Sequence, residues 1–390
     1  MDGRTHGSRK PAGANAFRRD RLEIRFCMDP MITTREARLA AESWLRDEAG
    51  RCPELVGAIL AGSTRERALE EPHPPSADVD LFIYVDAEVP SDIREPRGRF
   101  APRKLAFRGV VLEPSFHEAR RLSDLEAVLG DMHLASVFTE PRILLDPQGR
   151  LAALAAAVKP EILRRRHAQR RLAQALESAV PSSPYGAIPA LPALRAPCWR
   201  NAAHAFAVMH CAVAPLVAGL RHPTTRRSFV VARDILRGAG REDLADELLR
   251  LLGSFALSRV EVGTLAAEAE RTYDLAVEVR RTPVVLDWNV SHAARELEHA
   301  AVRELIEGGH HREALFQLLL VRTAAQGIIE NDSDEETRAS SRIGYRQLLA
   351  ALGIDGDEPF QARGQALRAF LPALREGCEA LLARAPGLLD

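Results

Sequence analysis

The stretch LVGAILAGSTRERALEEPHPPSADVDLFIYVD, Leu55 to Asp86, decides how the chain is read. It holds two apolar runs separated by a polar segment that Pro72, Pro74 and Pro75 force into a loop. Each run has the length and residue types of a buried strand. The first run ends on a small pair, Gly62-Ser63, and the second opens on two acids, Asp78 and Asp80. Alternation puts Asp78, Asp80, Phe82 and Tyr84 on one face, with Val79, Leu81, Ile83 and Val85 on the other. Strand residues two apart have Cα atoms about 6.5–7 Å from each other, so both carboxylates can converge on one or two magnesium ions.

A third acid follows downstream. KLAFRGVVLEPSF is read as one further strand, closed by Pro114, with Glu113 on the face opposite Val110 and Leu112. A carboxylate in so apolar a strand requires a partner. A metal supplies one, and so would Arg103 or Arg108. Metals about 3.5–4 Å apart clamp the attacking and leaving oxygens of an in-line displacement. Gly62 lets a backbone approach a phosphate closely, and Ser63 offers a hydroxyl and an N–H. The plainer alternatives are a tight strand-to-helix turn at Gly62-Ser63, a loop or capping acid at Asp78 and an ion-paired strand acid at Asp80.

Around this stretch the pattern is mixed. Residues 33–49 are periodic for a helix, with Thr33 or Thr34 as N-cap, Glu36 in the first turn and Gly50 as the stop. ILLDP is a short strand before Gly149. Residues 31–160 therefore read as an α+β domain, a small mixed sheet with helices. Beyond Leu151 the composition turns to Ala, Leu, Arg and Glu at helical spacing. Residues 161–390 read as an all-α bundle, with helices near 199–219, 225–238, 241–253, 256–280, 291–307 and 311–329 and a final helical pair. A proline-rich loop is expected over 178–197 and a polar linker over 331–341. Residues 1–30 are basic, lack a hydrophobic signal core and read as a disordered tail, with Met28 or Met31 as alternative starts. No fixed-period repeat is present.

Composition narrows the function. The 390 residues carry 53 basic against 54 acidic side chains, a net charge of -1. That balance argues against a nucleic-acid partner, and the 5% aromatic content against a stacking platform. Cys27, Cys52, Cys198, Cys211 and Cys378 form no C-x-x-C pair, so reduced thiols and a cytoplasmic setting are expected. No apolar run approaches the ~20 residues of a membrane span, so no membrane partner is expected.

Gly62-Ser63, a polar gap, DVDLFIYV and a later acid, Glu113, resemble the DNA polymerase β-like nucleotidyltransferase superfamily. The nearer resemblance is to its small bacterial members, among them the aminoglycoside nucleotidyltransferases. ILLDPQGRLAAL, Ile143 to Leu154, is similar to the strand-turn-helix exit of such domains. The resemblance covers about residues 34–160. In two places the chain departs from the pattern. Ser63 and Asp78 are 15 positions apart, longer than is usual, and Arg65-Glu66-Arg67 stands where arginine-glycine is frequent. The resemblance implies transfer of a nucleoside monophosphate from an NTP, with ATP the expected donor, to a hydroxyl of a small molecule such as an aminoglycoside-like antibiotic, releasing pyrophosphate. It implies two Mg2+ ions on Asp78, Asp80 and Glu113, Glu113 as general base, and phosphates held by Gly62, Ser63 and Arg65. A protein acceptor in a toxin–antitoxin or regulatory role, or a non-catalytic NTP sensor, are the other readings.

In PTTRRSFVVARDILRG, Thr224 or Thr225 is read as an N-cap, and Arg226, Arg233 and Arg237 share a helical face. Arginines in a first turn oppose the helix dipole, so Arg226 and Arg233 are assigned to the triphosphate. A face paired with Asp234, Glu242 or Asp243 is the alternative. His133 falls near the expected cleft. His204 and His210, six apart, do not share a helical face and are not read as a metal site. The oligomeric state is not legible.

Overall fold

The computed structural model describes residues 32–49, 51–89, 100–101, 103–180, 196–284 and 286–390; the expectations for the tail over 1–30, for Cys27 and for residues 181–195 of the proline-rich loop lie outside them. The chain from Ile32 to Asp390 forms one compact unit. It opens with α1 (Thr34–Ala49), started by a capping box. The Thr33 N–H donates to the Glu36 carboxylate at 2.7 Å, and the Glu36 N–H donates to the Thr33 hydroxyl at 3.2 Å.

The sheet comprises β1 (Leu55–Leu60), β2 (Val79–Val85), β3 (Leu105–Phe107), β4 (Val110–Glu118) and β5 (Arg142–Leu145), in the order β3-β4-β2-β1-β5. β2 and β4 run parallel, while the other neighbours are antiparallel, so the sheet is mixed and the fold α+β. The alternation of β2 carries into packing. Val79, Leu81, Ile83 and Val85 meet the α1 residues Ala37, Ala41 and Trp44 on one side. On the other side Tyr84 and Ile59 pack against α2 (Leu125–Gly130), α3 (Met132–Thr139) and α4 (Arg150–Val158). A register shift between Leu55 and Gly57 lets Val56 join the second core while Ala58 and Leu60 join the first.

KLAFRGVVLEPSF is two strands rather than one, and Pro114 lies inside β4 instead of closing it. Arg108 and Gly109 both have positive φ (48° and 81°) and make the hairpin turn. β3 pairs with β4 only as far as Leu112, so that among the described residues no strand lies beside Pro114 on that edge.

The remainder is helical: α5 (Arg165–Ser178), α6 (Ala196–Ala218), α7 (Ser228–Gly238), α8 (Glu242–Leu252), α9 (Arg259–Val279), α10 (Arg295–Glu307), α11 (Leu315–Asp332), α12 (Glu335–Ala351) and α13 (Asp357–Ala383). α6 is long and apolar enough over Cys198–Ala218 to cross a membrane, a length the sequence reading did not credit. It serves instead as a buried centre of the bundle, packed against α5, α7, α11 and α13. α11 is buried on every side from Leu315 to Glu330. The polar stretch over 331–341 is not a linker. It ends α11 and begins α12, where the Asp334 carboxylate accepts the Thr337 N–H at 2.8 Å, and Glu335 and Glu336 occupy a first turn that favours acids.

Candidate metal centre

β2 and β4 build the site by their pairing. In their parallel register Asp80 stands opposite Glu113, and Asp78 lies one pleat step before Asp80 on the same face. One carboxylate oxygen from each of Asp78, Asp80 and Glu113 lies within 4.8 Å of the others, so the three could hold a metal ion. The three side chains come from strand segments whose alternate residues are locked in the α1 core, so their direction is set by the fold.

Gly62 closes one side of the cluster. Its φ of +64° is in the region that favours glycine, and a Cβ there would lie 1.6 Å from Asp80 Oδ2. After it, Ser63–Arg65 form a single 3-10 turn, with Ser63 exposed and Thr64 buried. The Thr64 hydroxyl donates to the Asp78 carbonyl at 2.7 Å, tying the turn to the acids. Arg38, buried in α1, donates to the Thr64, Arg65 and Arg67 carbonyls at 2.8, 2.9 and 2.8 Å. The long segment that follows is also anchored. The Thr34 N–H reaches the Glu71 carbonyl at 2.8 Å, and the His73 N–H reaches the Ile32 carbonyl at 2.7 Å.

Two cations stand at the acids. Lys104, immediately before β3, places its ammonium 3.6 Å from Asp78, 3.4 Å from Glu113 and 2.6 Å from Glu298 of α10. Arg226 lies 3.6 Å from Asp78 and donates to the Ser76 carbonyl at 2.5 Å. Glu113 therefore finds Lys104, and neither of the arginines considered from sequence. Arg103 lies 3.9 Å from Glu48 and over Trp44 and Phe116, and Arg108 lies over Phe107. Among the described residues no side-chain cation forms an ion pair with Asp80.

The electrostatics follow from this layout. Burial alone would raise the Asp78 carboxyl, but Arg226 and Lys104 together bring it below the usual range. Burial raises the Asp80 carboxyl, and the neighbouring Asp78 charge adds to the rise. Burial also raises Glu113, with Lys104 opposing and Asp78 and Asp80 reinforcing. Burial would lower the Lys104 ammonium, yet Glu298, Glu113 and Asp78 hold it above its ordinary value, which favours its charged form. A half-buried carboxylate with no direct ion pair among the described residues, beside a second carboxyl raised by burial, suits a divalent ion that would displace protons on binding.

The other residues singled out in the sequence scatter. Arg65 pairs with Glu66 at 2.7 Å, meets His222 Nε2 at 2.7 Å and donates to the Ser136 carbonyl at 3.4 Å, which puts it beside the turn but already partnered. α7 starts at Ser228 with Arg227 at the cap, so Arg226 precedes the helix and does not share a helical face with Arg233. The anion that Arg226 meets is Asp78 itself. Arg233 pairs with Glu313 and meets His310 Nδ1 at 2.9 Å, and it belongs to the bundle rather than to the acids. His204 is fully buried, and its Nε2 contacts the Leu251 carbonyl at 3.2 Å.

Sequence reasoning missed Arg38, Lys104 and Glu298. One signal for the second was present: the chain's lysines are Lys10, Lys104 and Lys159, against arginine everywhere else. No protein-family model and no curated protein matches the chain.

Proposed function

We propose that the chain is a metal-dependent nucleotidyltransferase that moves a nucleoside monophosphate from an NTP, ATP by expectation, to a hydroxyl of a small-molecule acceptor in the cytoplasm. The observation that carries this reading is the pairing of Asp80 with Glu113 across parallel strands, with Asp78 beside them and Gly62 pressed against Asp80. The small mixed sheet is compatible with the α+β domain that the motifs led us to expect.

In this reading Asp78 and Asp80 hold Mg2+, with Glu113 adjoining. Bound there, the ion supplies Lewis-acid stabilisation of charge on phosphate oxygens. Ser63, beside the Gly62 turn, faces the triphosphate, and Arg226 offers it a guanidinium. Glu113 takes the proton from the acceptor hydroxyl. That oxygen bonds to the α-phosphorus as the bond from phosphorus to the bridging oxygen breaks, and pyrophosphate leaves with the electron pair. A carboxyl raised toward neutrality suits a general base working near pH 7.

The test is a panel of hydroxyl-bearing acceptors, aminoglycosides included, incubated with NTP and Mg2+. Products are read by mass and pyrophosphate release is measured in parallel. An acceptor gaining one nucleoside monophosphate, lost in Glu113→Gln, supports the reading. Absence of Mg2+-dependent NTP binding overturns it, and Mg2+-dependent binding without transfer to any acceptor would leave an NTP sensor in its place.

A further inference from the structure

Lys104 reaches two of the three acids at once. Its ammonium is 3.6 Å from Asp78 and 3.4 Å from Glu113, the pair at one end of the acidic trio. A Mg2+ ion bound directly to both carboxylates would need oxygens at about 2.0–2.1 Å and would share that space with the ammonium. Two cations so close in a buried setting repel strongly.

Lys104 is also hard to move. Its side chain is 4% exposed, and its shortest contact is the 2.6 Å pair to Glu298. The Glu298 side chain is fully buried in α10 and accepts a second hydrogen bond from the Gln317 amide of α11. Swinging Lys104 out would strand Glu298 as a buried lone charge. Charge balance points the same way. With every carboxyl ionised, as a bound ion that displaces their protons would leave them, Asp78, Asp80, Glu113 and Glu298 face Lys104 and Arg226 among the described residues, a formal excess of two negative charges. One divalent ion cancels that excess, while a second would reverse it. The residue type fits as well. In a chain that uses arginine almost everywhere, this position carries a compact ammonium, closer to a point charge than a planar guanidinium.

We propose that Lys104 is a built-in cation that takes the place of one of two divalent ions, so that the trio holds a single ion, carried by Asp78 and Asp80. The inference rests on the metal-binding part of the proposed function. It assigns Lys104 to the Glu113 side, where the acceptor hydroxyl would lose its proton, and leaves the Gly62 side to the ion.

Mn2+ titration of the nucleotide-free protein, followed by electron paramagnetic resonance, counts the ions. Wild type is expected to take up one ion, Lys104→Met two, and Lys104→Arg, which keeps the charge, one. Two ions of comparable affinity in wild type overturn the proposal, as does a single ion in a folded Lys104→Met. The wild-type count decides the matter even if Lys104→Met fails to fold. No Mn2+ uptake in any variant removes the metal site itself and with it this inference, an outcome distinct from a count of two.

Discussion

Among the buried charged groups of the described residues, two clusters differ in how completely they are matched. The first joins α9, α11 and α12. Arg322, fully buried, donates to Glu268 at 3.1 Å, to the Gln326 amide oxygen at 2.8 Å and to the Ser341 carbonyl at 2.8 Å. Gln326 passes the chain on to Glu330 at 2.9 Å, and Glu330 receives Arg342 through two contacts of 2.7 Å. Each carboxylate has its arginine, and the amide and hydroxyl groups fill in between. The second cluster is the acidic trio, where four carboxylates meet two cations and Asp80 lacks an ion pair among the described residues. A matched cluster fixes one arrangement of helices. An unmatched one costs stability and persists where a ligand completes it.

The sharpest way to break the comparison is at Arg322. Arg322→Ala leaves Glu268 and the Ser341 carbonyl without their partner, and a loss of about 3–5 kcal/mol in urea unfolding is expected. Ion uptake by any molecules that remain folded should be unchanged. If the variant is as stable as wild type, the matched cluster is not structural.

At the trio the sign should reverse. Asp80 and Glu113 have raised carboxyls, so the folded protein binds more protons there than the unfolded chain does above about pH 4. Their contribution to stability is therefore lost as pH rises through the folded values. A divalent ion replaces those protons, so the rise in Tm on adding Mg2+ should be larger at pH 8 than at pH 6. Asp80→Asn should raise the metal-free Tm at pH 8 by a few degrees and abolish the Mg2+-dependent gain. An increment independent of pH would contradict the shifted carboxyls.

The smallest effect separates the two arginines that sequence grouped together. Arg233→Ala, remote from the acids, should leave NTP affinity within twofold of wild type. Arg226→Ala should weaken it about tenfold, the loss of one charge-assisted contact to phosphate. Equal effects on NTP affinity from the two substitutions would return Arg233 to the site.

How much of this was legible depends on the range over which each feature is determined. The acids of β2 declare themselves because alternation is local, and the same period put Glu113 on the matching face of β4. The helices from α6 onward show in apolar spacing, with ends displaced by a few residues. The hairpin at Arg108-Gly109 was hidden because β3 is only three residues long, too short for a period. The acidic run before α12 passed for a linker, although Ser333-Asp334-Glu335-Glu336 is a helix start. Lys104, Arg38 and Glu298 were out of reach for a different reason. Lys104 and Glu298 are 194 positions apart, and Arg38 and Thr64 are 26 apart. Only the finished fold turns these surface-type residues into buried partners.

The segment between Gly62 and Asp78 was the least family-like part of the sequence, and its tethers give it a consequence in time. Arg38 holds its start, and the α1 N-terminus holds its middle. Those hydrogen bonds come from within the fold, so the entropy of ordering these parts of the loop is met when the chain folds. Should a ligand bind at the Gly62 turn as proposed, a turn held in this way would need little further ordering to receive it, and the extra length would serve as its scaffolding.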